Sequence, residues 1–307
     1  MTAHTVPAGG QPGLAVAPLV LGTSKLGRAA ATEEAVALLR RAAAAGLRDW
    51  DTSNNYGRAE EHIGHALDGM DRASIQVFTK VDPVAGSSDF SGARVRASVL
   101  ESIERIGTDR LPLVHLHDPE RITFEDAVAP DGPLRALVRL RDEGLIAHLG
   151  VAGGPVAMMQ RFVATGEFEF VVTHNRFTLL DRSAEPLLDD CAERGIGVFN
   201  AAPFGGGALT ADAGPVGDYH YRAVDDAQRA AVQRLRAIAA DAAVPLGALA
   251  LGLSTRDPRI TATIVGATRP ASLDRLLDWA GTDLPDVWAD LTAALPATEH
   301  QTGPHGR

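Results

Sequence analysis

Short runs rich in Val, Ile, Leu and aromatic residues alternate along the chain with longer alanine- and leucine-rich stretches whose apolar positions recur at helical spacing. The strand-like runs lie at 19–21, 48–52, 75–79, 113–116, 147–151, 168–173, 197–200 and 260–265. Helical patterns fill 32–45, 60–67, 93–106, 134–143, 155–165, 184–194, 225–242 and 272–280. Thr32 followed by Glu34 suits a helix start, and Gly46, Gly144 and Gly195 fall where a left-handed helix end is wanted. No linker divides these βα units, so the pattern predicts one α/β domain over residues 1–296, a (β/α)8 TIM barrel with parallel strands. Rossmann-like winding gives the same alternation, but no Gly-x-Gly-x-x-Gly follows the first strand. Residues 297–307 are polar, rich in breakers and expected to be disordered, with His300 and His305 solvated.

Composition narrows the partners. A net charge of -10 repels phosphate backbones, and no basic stripe offsets it, so nucleic acid is not an expected partner. Cys191 is the single cysteine, which excludes an internal disulfide and suits a buried, reduced thiol. Residues 1–18 lack the basic start and apolar core of a signal peptide, and no apolar run is long enough to span a bilayer. The expectation is a cytoplasmic protein without a membrane partner; nothing in the chain speaks to its oligomeric state.

In a barrel, chemistry gathers at the carboxyl ends of the strands. Asp51 ends the second strand, Tyr56 follows in the loop DTSNNYGRAEEHIGHAL, Lys80 ends the third strand in VFTK, and His117 ends the fourth in LVHLHDPE. Alternation puts His115 and His117 on one face, the polar interior, with Asp51 and Lys80 also inward and Trp50 outward. A cationic Lys80 beside the Tyr56 phenol would favour tyrosinate and let Tyr56 trade a proton near neutral pH. Each residue has a plainer role open to it: a structural ion pair, a surface anchor, a satisfied core histidine. His115-x-His117, with His148 and His174, also allows a metal-dependent hydrolase, although His148 begins its strand and so belongs at the wrong end. A non-catalytic regulatory barrel is a further alternative.

The order Asp51, Tyr56, Lys80, His117 in these stretches resembles the aldo-keto reductase superfamily, and the likeness continues through LRDEGLIAHLGVAG, NRFTLLDR, GIGVFNAAPFGGGAL and TIVGATRPASLDRL. The resemblance implies an oxidoreductase that binds NAD or NADP in extended form and moves a hydride between nicotinamide and a carbonyl or lactol carbon of a small aldehyde, ketone or sugar. It makes Tyr56 the general acid/base, with Lys80 tuning it, Asp51 holding Lys80 and His117 orienting the carbonyl, and metal no part of the site. Cofactor contacts would come from Gly22, Thr23 and Asp51, from Asn175, from Ala202, Pro203, Phe204, Gly206 and Leu209, and from Val265, Gly266, Ala267, Thr268 and Arg269. Substrate contacts would come from Lys25, Tyr56, His117, Arg176 and Phe177, with Phe204 another pocket candidate.

Several family positions differ. Ala152 and Gly153 stand where a Ser-Asn pair grips the carboxamide, Val171 where a glutamine is usual, and Ala201 where a tyrosine stacks on the nicotinamide, leaving Asn175 or Asn200 to supply the amide contacts. These departures, with FTLLD and NAAPFGGG, resemble the branch holding sugar 1-dehydrogenases of the L-fucose and D-threo-aldose type and pyridoxal 4-dehydrogenase. Gly266 and Ser272 replace the cations that hold a 2′-phosphate, leaving Arg269 nearby, so NAD is favoured over NADP. The loop at 212–224 should fold over the cofactor, with Tyr219 and Tyr221 as lid residues.

Overall fold

The computed structural model describes residues 4–8, 11–29, 31–84, 86–212, 214–220 and 222–295; the expectations for Tyr221 and for residues 297–307 lie outside them. An antiparallel hairpin of β1 (His4–Ala8) and β2 (Gln11–Val16) precedes the barrel. Eight parallel strands follow: β3 (Leu19–Gly22), β4 (Asp49–Asp51), β5 (Gln76–Val81), β6 (Leu111–His117), β7 (Ile146–Gly153), β8 (Phe170–His174), β9 (Gly197–Ala201) and β10 (Ala262–Gly266). Each pairs with its successor, and β10 pairs with β3 to close the ring. All eight expected strands are present, shifted by a few residues at their ends.

Around the barrel lie α1 (Leu26–Ala29), α2 (Thr32–Ala44), α3 (Ala59–Leu67), α4 (Gly92–Ile106), α5 (Phe124–Val128), α6 (Pro133–Asp142), α7 (Val156–Val163), α8 (Glu185–Arg194), α9 (Asp226–Asp241), α10 (Leu246–Arg256), α11 (Pro270–Ala280) and α12 (Trp288–Ala293). The expected helix-ending glycines Gly46, Gly144 and Gly195 have φ of 92°, 82° and 69°. Among the described residues no single helix is long and apolar enough to cross a membrane. Short helices α1, α5 and α12 and the longer α10 are additions to the expected set. From Leu246 to Ser254 every residue is buried, so the segment carries no polar stripe from which a helical period could be read.

Strand alternation divides the core in two. Val20, Phe78, Leu113, Phe170 and Phe199 point inward, while Leu21, Trp50, Val114, Val171 and Val198 face the helices. The hairpin, also unexpected, places Leu14 and Val16 in the inner cluster. Burying each is worth about 1.5–3 kcal/mol. Hydrogen bonds from the Ala17 N–H to Asp49 Oδ2 (2.7 Å) and from Gln76 Nε2 to the Ala15 carbonyl (2.8 Å) fasten the hairpin beneath the strands. With aromatic side chains filling the middle and a hairpin below, the inward polar residues are left to the carboxyl end.

Candidate active site

β4 contributes only Asp49, Trp50 and Asp51. Trp50 turns outward, fully buried, its Nε1 donating to the Leu47 carbonyl at 2.9 Å, so Asp51 turns inward beside Lys80. Lys80 Nζ donates to both Asp51 carboxylate oxygens and to the Thr52 carbonyl, each at 2.7 Å. Three acceptors therefore meet the three ammonium protons of a side chain that is 3% exposed. Burial pushes the Asp51 carboxyl above the usual carboxylate range, with the Lys80 charge opposing it.

The loop carrying Tyr56 is bound on several sides. The Thr52 N–H donates to the Phe78 carbonyl (2.8 Å), the Asn54 N–H to the Lys80 carbonyl (3.3 Å), and the Tyr56 N–H to the Ser53 carbonyl (3.1 Å). On its outer side Arg105 Nη1 reaches the Asn54 carbonyl at 3.3 Å, and Asn54 Nδ2 donates to Glu101 at 3.1 Å. Gly27 of α1 lies against it so closely that a Cβ there would come 1.8 Å from the Tyr56 carbonyl oxygen. So held, the phenol ring sits with its centroid 4.8 Å from Lys80 Nζ and 5.7 Å from the His117 ring, which it meets edge to face.

His117 is positioned by groups the sequence reading passed over. Its Nδ1 lies 2.9 and 3.0 Å from the two oxygens of Asp82, which is fully buried, and the Ser53 hydroxyl donates to the same carboxylate. Its Nε2 is 3.5 Å from Asp118, which Arg121 holds at 2.9 Å. Burial alone would lower the histidine, but Asp82 and Asp118 outweigh it and the imidazole is pushed above its ordinary value. Asp82 is held below the usual carboxylate range: burial opposes, and the His117 charge and hydrogen bond and the Ser53 hydroxyl prevail. Asp118 is drawn to about 2 by His117 and Arg121 against its own burial.

His115 lies one layer deeper. Burial, with Lys80 adding to it, keeps this imidazole neutral, and a Cβ on Gly150 would meet its ring at 2.3 Å. His148 pairs with Glu169 at 2.9 Å near the opposite end of the barrel. Among the described residues no three His, Cys, Asp or Glu side chains form a group able to hold a metal ion. The mouth therefore offers a phenol, an ammonium and a carboxylate-bound imidazole, a set suited to moving a proton onto or off an oxygen.

Residues 18–293 match the aldo/keto reductase family. The chain belongs to that family. It is 31% identical to D-threo-aldose 1-dehydrogenase from a Pseudomonas species, over 94% of this chain and 97% of that one. It is 28% identical to L-galactose dehydrogenase of Arabidopsis thaliana, covering 100% and 99%. An aldo-keto reductase of Bacillus halodurans, solved in its holo form, shares the fold with a TM-score of 0.82 at 21% identity, covering 98% and 99%. The chain is thus an oxidoreductase of a family that generally uses nicotinamide cofactors.

The strand ends of this aldo-keto reductase fit such a cofactor. Asn175, at φ 58°, buries an Oδ1 that has no hydrogen-bond partner among the described residues, an acceptor suited to an amide donor. Gly22 and Gly266 face each other across the β3–β10 pair, and a Cβ on Gly266 would meet only the Gly22 carbonyl at 3.9 Å. Ala202, at φ 57°, turns the chain through buried Pro203 into the Gly205–Gly207 turn, whose Gly206 is exposed, and Phe204 packs against Trp279 with tilted rings 5.3 Å apart. Left-handed non-glycine residues cost about 1–3 kcal/mol and gather at functional sites. Ala267 is buried after β10, while Thr268 and Arg269 are exposed at the start of α11. There the Ser272 hydroxyl accepts from both of their N–H groups. Thr23 donates its hydroxyl to the Asp51 carbonyl at 3.0 Å, and both Asp51 oxygens go to Lys80.

Four residues expected at the cofactor or substrate turn their side chains away from the mouth. Phe177 was expected at the substrate, but the turn at Asn175 folds it outward; it is 1% exposed in the outer core, with the Arg182 guanidinium 4.9 Å from its ring. Leu209 and Val265 likewise turn into the outer core, so neither side chain faces the mouth. Asn200 alternates outward from Phe199 and spends its Nδ2 on the Phe177 carbonyl and Ser254, both at 2.9 Å, while its Oδ1, like that of Asn175, has no hydrogen-bond partner among the described residues. Arg176 is buried at the start of that loop and Lys25 is exposed after β3.

Tyr219 is an anchor rather than a mobile lid residue. It is 2% exposed, its hydroxyl donates to the Asn175 carbonyl at 2.7 Å and lies 3.0 Å from Thr178, and burial raises its phenol well above normal. It presents the neighbouring His220 to His174, 6.1 Å away, beside Asp118. Ser53, Asp82, Asp118 and His220 were missed, and His174 was read only as a possible metal ligand. For Asp82 a signal existed, because it follows Lys80 by two residues and so shares its inward face.

Proposed function

We propose that the chain is an NAD-dependent aldose 1-dehydrogenase, oxidising the lactol carbon of a small sugar, with Tyr56 as its proton-transfer group. The observation that carries this reading is the Tyr56 ring between Lys80 Nζ, at 4.8 Å, and the His117 ring, at 5.7 Å. The nicotinamide, when bound, supplies hydride exchange with the substrate carbon. Lys80 stabilises Tyr56 as the phenolate, the phenolate takes the proton of the lactol hydroxyl and becomes the phenol, and His117 donates to the substrate oxygen while it carries charge. Asp51 holds Lys80 in place through both carboxylate oxygens. The collar of His117, Asp118, His174 and His220 offers donors and acceptors together, which suits a polyhydroxylated substrate better than an apolar aldehyde.

Asn175 holds the carboxamide and the Gly205–Gly207 turn gives the pyrophosphate close backbone approach. At α11 the Thr268 and Arg269 N–H groups are committed to Ser272, a neutral hydroxyl, and this supports NAD over NADP. One buried cysteine, its thiol pushed up to about 12 by burial and by Asp190, fits a reducing cytoplasm.

The test is reduced-nicotinamide absorbance with a panel of aldoses, pyridoxal and simple aldehydes, using NAD and NADP in turn. Tyr56→Phe should lose about 10²–10⁴-fold in kcat with unchanged cofactor affinity. Near-wild-type turnover in that variant ends the assigned role. Turnover confined to simple aldehydes, or a higher kcat/KM with NADP, overturns the substrate or the cofactor reading respectively.

A further inference from the structure

We propose that Asp82, braced by Ser53, is a positioning residue for the reaction: it binds the His117 Nδ1 proton and thereby keeps Nε2 aimed at the mouth as a donor. The inference rests on the reading of the site given above and adds residues to it. Asp82 lies just beyond β5, two residues after Lys80, and is 0% exposed. Both its oxygens face His117 Nδ1, at 2.9 and 3.0 Å, and the Ser53 hydroxyl donates to one of them. The residue is itself fixed, its N–H donating to Ser98 Oγ (3.3 Å) and its carbonyl accepting from Arg94 Nε (3.2 Å). A carboxylate so fully buried and bonded to the ring is placed to set which ring nitrogen carries the proton.

An imidazole bonded through Nδ1–H cannot flip or change tautomer without stranding a buried carboxylate, a cost that holds Nε2 toward the substrate oxygen. The charge environment acts in the same direction. Asp82 and Asp118 face the ring from just beyond β5 and β6, and Asp51 adds its charge from β4; burial and the Lys80 charge oppose them, while His115 below is neutral and adds no charge. Asp118, paired with Arg121 at 2.9 Å, stays 3.5 Å from Nε2, His174 on β8 lies beside it, and the Tyr56 ring meets the imidazole edge to face. The balance favours the protonated ring, which donates from both nitrogens.

The test titrates labelled histidine by NMR in the wild-type protein, Asp82→Asn and Ser53→Ala, the His117 signal being assigned with His117→Gln. It is paired with kcat and KM against pH on the best sugar. Wild-type His117 should titrate above an ordinary histidine, Asp82→Asn should lower it by about 1–2 pH units, and Ser53→Ala should lower it less. Asp82→Asn should lose about tenfold or more in kcat with little change in KM, and the alkaline limb of the profile should move to lower pH with the ring. An imidazole that titrates at the ordinary value in the wild-type protein, or identically in the variants, overturns the proposal. The titration needs neither substrate nor cofactor, so a failure of the sugar reading leaves it standing, and a failure of the titration in an active enzyme removes Asp82 alone. Should Asp82→Asn not fold, the wild-type and Ser53→Ala titrations decide.

Discussion

Replacing Lys80 by Met separates what the buried ion pair does for the fold from what it does for the chemistry. The substitution preserves volume but leaves the Asp51 carboxylate, 6% exposed at its side chain, and the Thr52 carbonyl without the ammonium that bonds them at 2.7 Å. Stranding one member of such a pair costs about 3–5 kcal/mol, and at about 2 °C per kcal/mol for a chain of this size the melting temperature should fall by about 6–10 °C at pH 7. Replacing both residues, Asp51→Leu with Lys80→Met, removes the uncompensated charge. Most of the loss should return, short of about 1 kcal/mol for the orphaned Thr52 carbonyl. The pH dependence has a definite sign. Burial already raises the Asp51 carboxyl, and without Lys80 only the smaller effect of the His117 charge opposes it, so the folded pKa lies above the unfolded one and the protonated acid is the favoured folded form. The single variant is therefore least impaired in acid, and its deficit grows as pH rises through the raised value. Circular-dichroism melts from pH 5 to 8 measure this, and turnover measures the chemistry, which both variants should lose. A single variant that melts with the wild type at pH 7, or a double variant no more stable than the single, would refute the reasoning.

Gly27→Ala should cut kcat by about tenfold or more, because the Cβ would sit 1.8 Å from the Tyr56 carbonyl and must displace the loop that carries the phenol; unchanged kcat in a folded variant contradicts that coupling. Tyr219→Phe removes a hydroxyl that donates to the Asn175 carbonyl and should cost about 1–3 kcal/mol in stability and weaken dinucleotide binding. Fluorescence titration with the cofactor checks it, and an unaltered Kd shows that the anchor does not support the carboxamide site.

Where local pattern and tertiary demand coincide, the fold was readable from the chain. The barrel strands are short, but each is flanked by a helix whose polar face survives, so eight βα units could be counted. Two elements lacked such a contrast. Helix α10 is buried on all sides from Leu246 to Ser254, which erases the period that marks a helix. The hairpin of β1 and β2 owes its place to what it covers, since Leu14 and Val16 are meaningful only beneath the ring of Phe78, Phe170 and Phe199.

The site divides along the same line. Asp51, Lys80 and His117 end strands, where a period of two fixes their direction, and they stand together as that period requires; Asp82 obeys the same rule two residues beyond Lys80. The dinucleotide side depends instead on backbone turns. Left-handed Asn175 and Ala202 reverse the chain after β8 and β9, and that reversal decides that Asn175 turns its amide to the mouth while Phe177 is carried under Arg182. Neither residue is a glycine, so composition carried no warning of the turn. The cost of those two conformations is borne by bonds formed elsewhere in the fold, the Tyr219 hydroxyl on the Asn175 carbonyl among them. It follows that Asn175 and the loop holding His220 form one unit: what loosens Tyr219 loosens Asn175, and on the proposed reading the substrate and nucleotide halves of the mouth respond together.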